Sequence, residues 1–446
     1  MSLLKVLLAL NKLQNNAKKS RSAIVSLQEK KFRKLLAFTY RHSAFYRDYW
    51  REHGIEENQL KTIPLNRLPV IDKKTLIENF ARLNTISVTQ EELAAFDASQ
   101  SEGKFKGKYA VVHSSGSTSK PCYFIYDKKG WDYLIAGILR AALWDLSLGQ
   151  VIGLVKKGSR ILYVAASDGN YGGALAAKDG ISGLNSKEFC LDIKTPIAEW
   201  KDAIVKANPN LIIGYPSAIK ILCEVVNAEK IDLRLDRIVT CGEPLGAGLK
   251  NYFETVLHSE VVNIYGTSES VALGVESKNT DGIVLFDDMN IVEVQSDGIY
   301  LTNLYNKAMP LVRYKISDIL TEKTISPRYP FSRVGNILGR NEDVLWFEAD
   351  GRKEFLHPLS IEGFCIEGLI DYQFVQKSAS FFEVRIQIDK CDGSVIKSEL
   401  KKEIDAVLSE KKLDFVSYEI VEVAEIYPDQ KTGKKKLVVV SSWNFF

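Results

Sequence analysis

Between residues 158 and 270 four short runs of apolar and β-branched residues recur: RILYVAA (160–166), NLIIGYP (210–216), RIVTCGEPL (237–245) and VVNIYGTSES (261–270). Each stops at glycine, proline or a hydroxyl residue, and stretches of helical periodicity at 197–207 and 217–228 lie between them. Few folds admit that order. Adjacent parallel strands need a long crossover connection, so strand–helix–strand alternation predicts an α/β unit on a mostly parallel sheet. Ligands of such sheets bind beyond the carboxyl ends of the strands. Tyr215, Gly242, Glu243, Tyr265, Thr267 and Glu269 all stand at those ends. Ordinary loop chemistry would account for any one of them, whereas several on one edge point to a site.

The flanks read differently. Residues 28–51 show helical periodicity that ends at HGI (53–55), and MSLLKVLLALNKL at the start is apolar apart from Ser2, Asn11, Lys5 and Lys12. That opening is too short to span a bilayer. A helix with Leu3, Leu7 and Leu10 on one side is expected to pack on its own domain, with surface attachment as the alternative. After residue 283 the pattern turns antiparallel, with IYLTNLY (299–305) and PLVRYKISDIL (310–320) as strands. NILGRNEDVLWFEADGRKEF (336–355) has the interrupted texture of a linker. Beyond it FFEVRIQID (381–389), a helical stretch at 394–411, YEIVEVAEI (418–426) and KKLVVVSSW (435–443) form a small α+β unit. A chain of 446 residues exceeds one ordinary core,. The expected architecture is an α/β domain with mostly parallel sheets, helices and a small antiparallel region at 1–338, a hinge at 339–343, and a small mobile α+β domain at 344–446.

Apolar residues make up 46% and charged residues 26%, the balance of a globular protein,. Lys plus Arg number 59 against 56 Asp plus Glu, so nothing in the charge draws the chain toward nucleic acid,. Cys122, Cys190, Cys223, Cys241, Cys365 and Cys391 are scattered without a C-x-x-C pair, and the five histidines do not cluster near them. Reduced, structural thiols and a cytoplasmic location are expected. Small ligands are the expected partners; a homodimer is left open.

HSSGSTSKPCYFIYD (113–127) holds small hydroxyl residues, one glycine and one lysine. Such a loop is either a phosphate cradle or a plain turn. It is not a Walker A loop, because the G-x-x-x-x-G-K-[ST] spacing is absent.

Five motifs, taken in order, settle the choice. SSGSTSKP (114–121), TCGEPL (240–245), YGTSES (265–270), PLVRYKISD (310–318) with GRNED (339–343), and TGKKKLV (432–438) resemble those of the adenylate-forming acyl-CoA synthetase superfamily. The branch is that of phenylacetate-CoA ligase and related proteins of capsular polysaccharide gene clusters. FRKLLAFTYRHSAFYRDYW (32–50) is similar to that branch's opening helices. The resemblance implies that Ser114, Ser115, Gly116, Ser117, Thr118 and Lys120 surround the β and γ phosphates of ATP, and hydroxyls, freed backbone N–H groups and a cation suit that task. One departure is Ser119, where the family usually has glycine; a φ above zero there would strain serine.

The resemblance further implies that Gly242, Glu243 and Pro244 line the adenine, that Tyr265 lies against it, and that Gly266 belongs to the ATP site. Thr267 would contact the α phosphate and the substrate carboxylate, and Glu269 would hold Mg2+. Asp318 would take both ribose hydroxyls, and Arg340 would contact ribose or phosphate. Asp343 would be the hinge about which the small domain rotates. Lys434, the lysine after the motif glycine, would reach the site for adenylation. Asn170, Tyr171, Gly172, Gly173, Tyr215 and Ser217 would shape the acyl pocket. The implied reaction joins a small carboxylic acid, aryl or acyl, to AMP with release of pyrophosphate, then transfers it to CoA or, alternatively, to a carrier-protein thiol or an amine. A nucleotide-binding relative without ligase turnover is the competing class.

Overall fold

The computed structural model describes residues 3–99, 103–113, 122–165, 186–295, 298–318, 320, 323–335, 337, 345–349, 351–356, 358–361, 364, 366–389, 393–427 and 436–440. It opens with three helices, α1 (Leu3–Asn16), α2 (Arg21–His42) and α3 (Ala44–Glu52). The single helix expected over 28–51 is therefore two. Ser43 ends α2 in extended backbone, and its hydroxyl caps α3 by accepting from Tyr46 N. A serine hydroxyl that can satisfy an orphan N–H makes a break there inexpensive. The inward face of α1 also differs from the expected one. Val6, Ala9, Leu10 and Leu13 are buried, while Leu7 is 40% exposed. Leucines lie all round α1, so periodicity defines no unique face and packing against the helix Lys128–Ala142 selects it,.

The strands assemble as follows. β1 (Ala110–His113) and β2 (Tyr123–Tyr126) form a hairpin. β3 (Ser159–Ala165), β4 (Ser186–Asp192), β5 (Leu211–Gly214), β6 (Arg237–Cys241) and β7 (Val261–Thr267) are parallel neighbours in the order 4-3-5-6-7. The sheet then continues antiparallel through β8 (Ser270–Glu276) and β9 (Ile283–Leu285). The antiparallel region thus begins before residue 283. Only Ser268 and Glu269 join β7 to β8, and a two-residue connection permits nothing but a hairpin,.

β10 (Asn290–Gln295), β11 (Gly298–Asn303) and β12 (Tyr314–Ile316) make a small antiparallel sheet, so PLVRYKISDIL supplies three strand residues rather than a full strand. β13 (Thr324–Ile325) and β14 (Ser332–Val334) close the edge of the nine-stranded sheet beside β9. β15 (Leu345–Ala349) and β16 (Arg352–Leu356) form a hairpin. β17 (Leu369–Gln376), β18 (Phe381–Ile388), β19 (Ser417–Glu422) and β20 (Val438–Val440) form a four-stranded sheet in the order 19-18-17-20, accompanied by the helix Gly393–Glu410. The molecule is a mixed α/β protein with a large, partly parallel sheet.

Three apolar cores result. One joins α1–α3, the β1–β2 hairpin and the antiparallel strands; one lies between the parallel strands and their crossover helices; one fills the C-terminal sheet and its helix. A buried ionic knot ties the first together. Asp288 receives Arg140 through both oxygens, at 2.9 and 3.0 Å, and Asn16 Nδ2 at 2.8 Å. Burial opposes ionisation of Asp288, but the Arg140 guanidinium overcomes it and holds the carboxyl below its usual range,. Arg140 also donates to Leu13 O, satisfying a carbonyl near the end of α1,. Among the described residues no helix is long and apolar enough to cross a membrane.

Candidate active site

The β7–β8 corner organises the carboxyl edge of the sheet. Register slips by two residues between Tyr265 and Thr267: on β7 only Gly266 lies between the two pairings, against Val271–Leu273 on β8, so the bulge is on β8 and bends the corner around Gly266,. Only glycine fits: a Cβ at Gly266 would lie 2.1 Å from Val271 O. The corner is fastened to the β1–β2 hairpin. Tyr126 Oη donates to Ser268 O at 3.2 Å and Glu269 O at 2.9 Å, and Ser268 Oγ donates to His113 O at 3.4 Å. The hydroxyl-rich loop leaves β1 at His113 and returns at Cys122. Both of its ends are therefore beside Thr267–Glu269. The Cys122 thiol is pushed up to about 12, first by burial and then by the Glu269 carboxylate, which places that charge near the loop's return,. The Thr267 hydroxyl is buried and has no hydrogen-bond partner among the described residues. A buried hydroxyl without a partner costs stability until a ligand satisfies it.

Next along the edge, Tyr265 is 4% exposed and its hydroxyl donates to Asp318 Oδ2 at 3.1 Å. These two residues line one pocket with Gly242, Glu243, Pro244, Asn263, Ile264, Gly266 and Ile337. Gly242 has φ +83°, and a Cβ there would lie 2.8 Å from the Tyr215 ring. The Glu243 carboxylate accepts from Ser217 N at 2.9 Å and Ser217 Oγ at 2.8 Å. It thus caps the helix Pro216–Ala228, whose first turn offers free N–H groups and a positive dipole end,. The adenine-lining candidate Glu243 and the acyl-pocket candidates Tyr215 and Ser217 form one rigid corner. Glu243→Ala is expected to lower stability by about 1–2 kcal/mol, as loss of an N-terminal cap does, read from denaturant midpoints at unchanged m-value. Glu243→Gln, which keeps an acceptor, should lose less.

A larger hollow, about 220 Å3, opens between the C-terminal ends of the helices Pro216–Ala228 and Ala247–Leu257, lined by Val226, Lys230, Asp232 and His258. Those helix ends belong to the opposite edge of the sheet from Gly242, Tyr265 and Thr267. Chemistry therefore outweighs size in locating the site. Among the described residues no group of three or more His, Cys, Asp or Glu is arranged to hold a metal. A single carboxylate such as Glu269 fits Mg2+ when phosphate oxygens and water complete the shell.

Of the sequence candidates, Gly242, Glu243, Pro244, Tyr265, Gly266, Thr267, Glu269, Asp318 and Tyr215 meet along this edge. Ser114, Ser115, Gly116, Ser117, Thr118, Lys120, Tyr171, Gly172, Arg340, Asp343 and Lys434 lie outside the described residues, as does Ser119. Sequence reasoning passed over Asn263, which is 3% exposed, lines the pocket and accepts from Thr240 Oγ1 at 3.0 Å. An amide in the middle of VVNIYG was the available signal, because a strand buries such a group only with partners. Tyr126, which fastens the corner, and Ile337 carried no comparable mark.

No known protein-family profile matches the chain. It is 24% identical over 431 residues to the phenylacetate-coenzyme A ligase of Thermus thermophilus, covering 90% of this chain and 86% of that protein. It is 21% identical over 392 residues to protein CapK of Staphylococcus aureus, covering 85% and 82%. Among solved structures, 2-hydroxyisobutyryl-CoA ligase with 2-HIB-AMP and CoA in its thioesterification state superposes with a TM-score of 0.62 at 20% identity, over 95% of this chain and 91% of that one. The same ligase in its postadenylation state gives 0.56, over 93% and 89%.

Proposed function

The chain is a member of the adenylate-forming superfamily, on the branch of phenylacetate-CoA ligase and CapK, and on that premise we propose that it activates a carboxylic acid with ATP and passes the acyl group to a thiol. The observation that carries this reading is the meeting of both ends of the hydroxyl-rich loop with Thr267–Glu269, beside the Tyr265–Asp318 pair. In the first half-reaction a substrate carboxylate oxygen attacks the α phosphorus, and the bond to the β phosphate breaks to release pyrophosphate. Two anions must approach, so the site has to neutralise and orient them. Residues 114–118 and Lys120 would cradle the leaving phosphates, and the Thr267 hydroxyl would donate to the α phosphate. Asp318 would accept from both ribose hydroxyls, with adenine along Gly242–Pro244 and Tyr265, and Arg340 near the ribose. Mg2+ held at Glu269 would offset charge on the phosphate oxygens.

Lys434 would bridge carboxylate and phosphate during this step. A thiol then attacks the acyl carbon, losing its proton, and AMP departs with the electrons of the broken acyl–oxygen bond. CoA is the proposed acceptor, and an aryl or small acyl acid, seated by Tyr171, Gly172 and Tyr215, the proposed substrate. Residues 1–338 would carry the nucleotide and acid, and residues 344–446 would rotate about 339–343, at Asp343, between the two half-reactions.

ATP–pyrophosphate exchange with Mg2+ across a broad panel of carboxylic acids tests the reading. At least one aromatic or short acyl acid is expected to support exchange, and the same acid with CoA should give a thioester. Demonstrated ATP binding with no exchange from any acid would identify a nucleotide binder without turnover. Exchange without thioester would move the acceptor to a carrier-protein thiol or an amine.

A further inference from the structure

Three leucines of α1 point away from the protein. The helix buries Val6, Ala9, Leu10, Leu13 and Asn16, yet Leu4 is 66%, Leu7 40% and Leu8 60% exposed. On a helix, positions 4, 7 and 8 fall on one side, so these side chains form a contiguous apolar ridge opposite the packed face. Within the segment itself the charge has one sign. From residue 3 to residue 28 there is no Asp or Glu, while Lys5, Lys12, Lys18, Lys19 and Arg21 are all present. Arg21 is engaged by Asp287, and the Lys12 ammonium leans over the Tyr133 ring at 6.0 Å, but Lys5, Lys18 and Lys19 stand on the exposed surface.

We propose that this face of α1 docks on an anionic lipid bilayer, with Leu4, Leu7 and Leu8 entering the headgroup boundary and Lys5, Lys18 and Lys19 meeting lipid phosphates. An apolar ridge flanked by lysines is the composition that binds an interface in plane, and short-range attraction to acidic headgroups supplements a shallow apolar insertion. A second copy of the chain fits less well. Two α1 ridges face to face would bring both sets of lysines together without an acidic residue in the segment to offset them. The inward face remains packed on the helix Lys128–Ala142, so docking requires no rearrangement of the fold.

Cosedimentation of the full chain with vesicles tests the proposal, using phosphatidylcholine alone and phosphatidylcholine with about one third phosphatidylglycerol. Binding is expected to the mixed vesicles only, and to weaken roughly tenfold on raising salt from physiological to near molar concentration. Leu4→Asn with Leu8→Asn should weaken it by roughly tenfold or more, and Lys5→Glu with Lys18→Glu and Lys19→Glu should abolish it. All substituted positions are exposed, so unchanged thermal unfolding of each variant would show that the fold is retained. Absence of binding by the unaltered chain overturns the proposal, as does equal binding to both vesicle types or no effect of the leucine pair. A dimer in solution that Leu4→Asn with Leu8→Asn converts to monomer, without vesicle binding, would assign the ridge to self-association instead.

Discussion

Asp318→Ala is expected to weaken ATP binding by a factor on the order of 10²–10³. The carboxylate is 4% exposed and is oriented by the Tyr265 hydroxyl at 3.1 Å, in the pocket formed with Gly242, Pro244 and Asn263. Under the proposed assignment it accepts from two ribose hydroxyls, and hydrogen bonds to a charged group contribute about 1.5–3 kcal/mol each. Tyr265→Phe keeps the ring and removes only the orienting donor, so about a tenfold loss is expected there. Asp318→Asn should fall between the two. Calorimetric titration with ATP reads all three. Equal losses for Asp318→Ala and Tyr265→Phe, or unchanged affinity in the alanine variant, would refute the ribose assignment while leaving the corner at Thr267–Glu269 untouched.

The second large effect is one of stability. Lys411 follows the helix Gly393–Glu410, its side chain is fully buried, and its ammonium lies 3.0 Å from Glu354 on β16. It also donates to Thr195 O at 2.8 Å and sits 3.8 Å from the centre of the Phe355 ring. Glu354 in turn accepts from Ile197 N at 2.7 Å. The C-terminal sheet unit is thereby clamped to the segment that leads from β4 into the helix Trp200–Ala207, and Trp200 meets Phe355 edge-on at 5.6 Å. Lys411→Met is expected to cost about 3–5 kcal/mol, because it leaves a buried carboxylate without its cation. Adding Glu354→Gln should recover most of that loss, since an amide oxygen still accepts from Ile197 N and no buried charge remains. Chemical unfolding of the two variants against the unaltered chain measures this, and an equal loss in the double variant would mean that packing, not charge, holds the contact.

The same pair gives a pH signature with a defined sign. Burial pulls Lys411 from 10.5 down to about 8, against the opposing attraction of Glu354. The folded pKa lies below the unfolded one, so between about pH 8 and 10.5 the unfolded chain holds more protons. Stability contributed through Lys411 therefore rises with pH across that window, by about 3 kcal/mol in total. Lys31 is likewise lowered to about 8 by burial and contributes with the same sign. It is present in both proteins, so it cancels when the unaltered chain is compared with the Lys411→Met, Glu354→Gln double variant. That difference is expected to move in favour of the unaltered chain as pH climbs from 7 to 10. If the C-terminal unit rotates as proposed, this clamp is also what must open, and the double variant should shift the balance between the two half-reactions.

The α/β alternation and the strand ends at residues 214, 241 and 267, where the candidate site residues stand, were legible without coordinates. Each rests on a local regularity: side chains alternate on a strand, recur every three to four residues on a helix, and give way to glycine or hydroxyls where the chain turns. The small C-terminal sheet and its helix were legible for the same reason. Other features had no local signature. Whether α1 buries Leu7 or Val6 depends on the helix Lys128–Ala142, more than a hundred residues away. Ser43 breaks one apparent helix into two because its hydroxyl found a backbone donor. Glu243 holds Ser217, Asn16 reaches Asp288, and Lys411 meets Glu354 and Thr195 across separations of 26, 272 and, for the last, 216 residues. Periodicity follows from covalent geometry, which acts over a few residues, so it is written in the sequence. A charge or cap buried against a distant segment is chosen by which surfaces the fold brings together, and its partner is identified only once desolvation has to be offset in three dimensions.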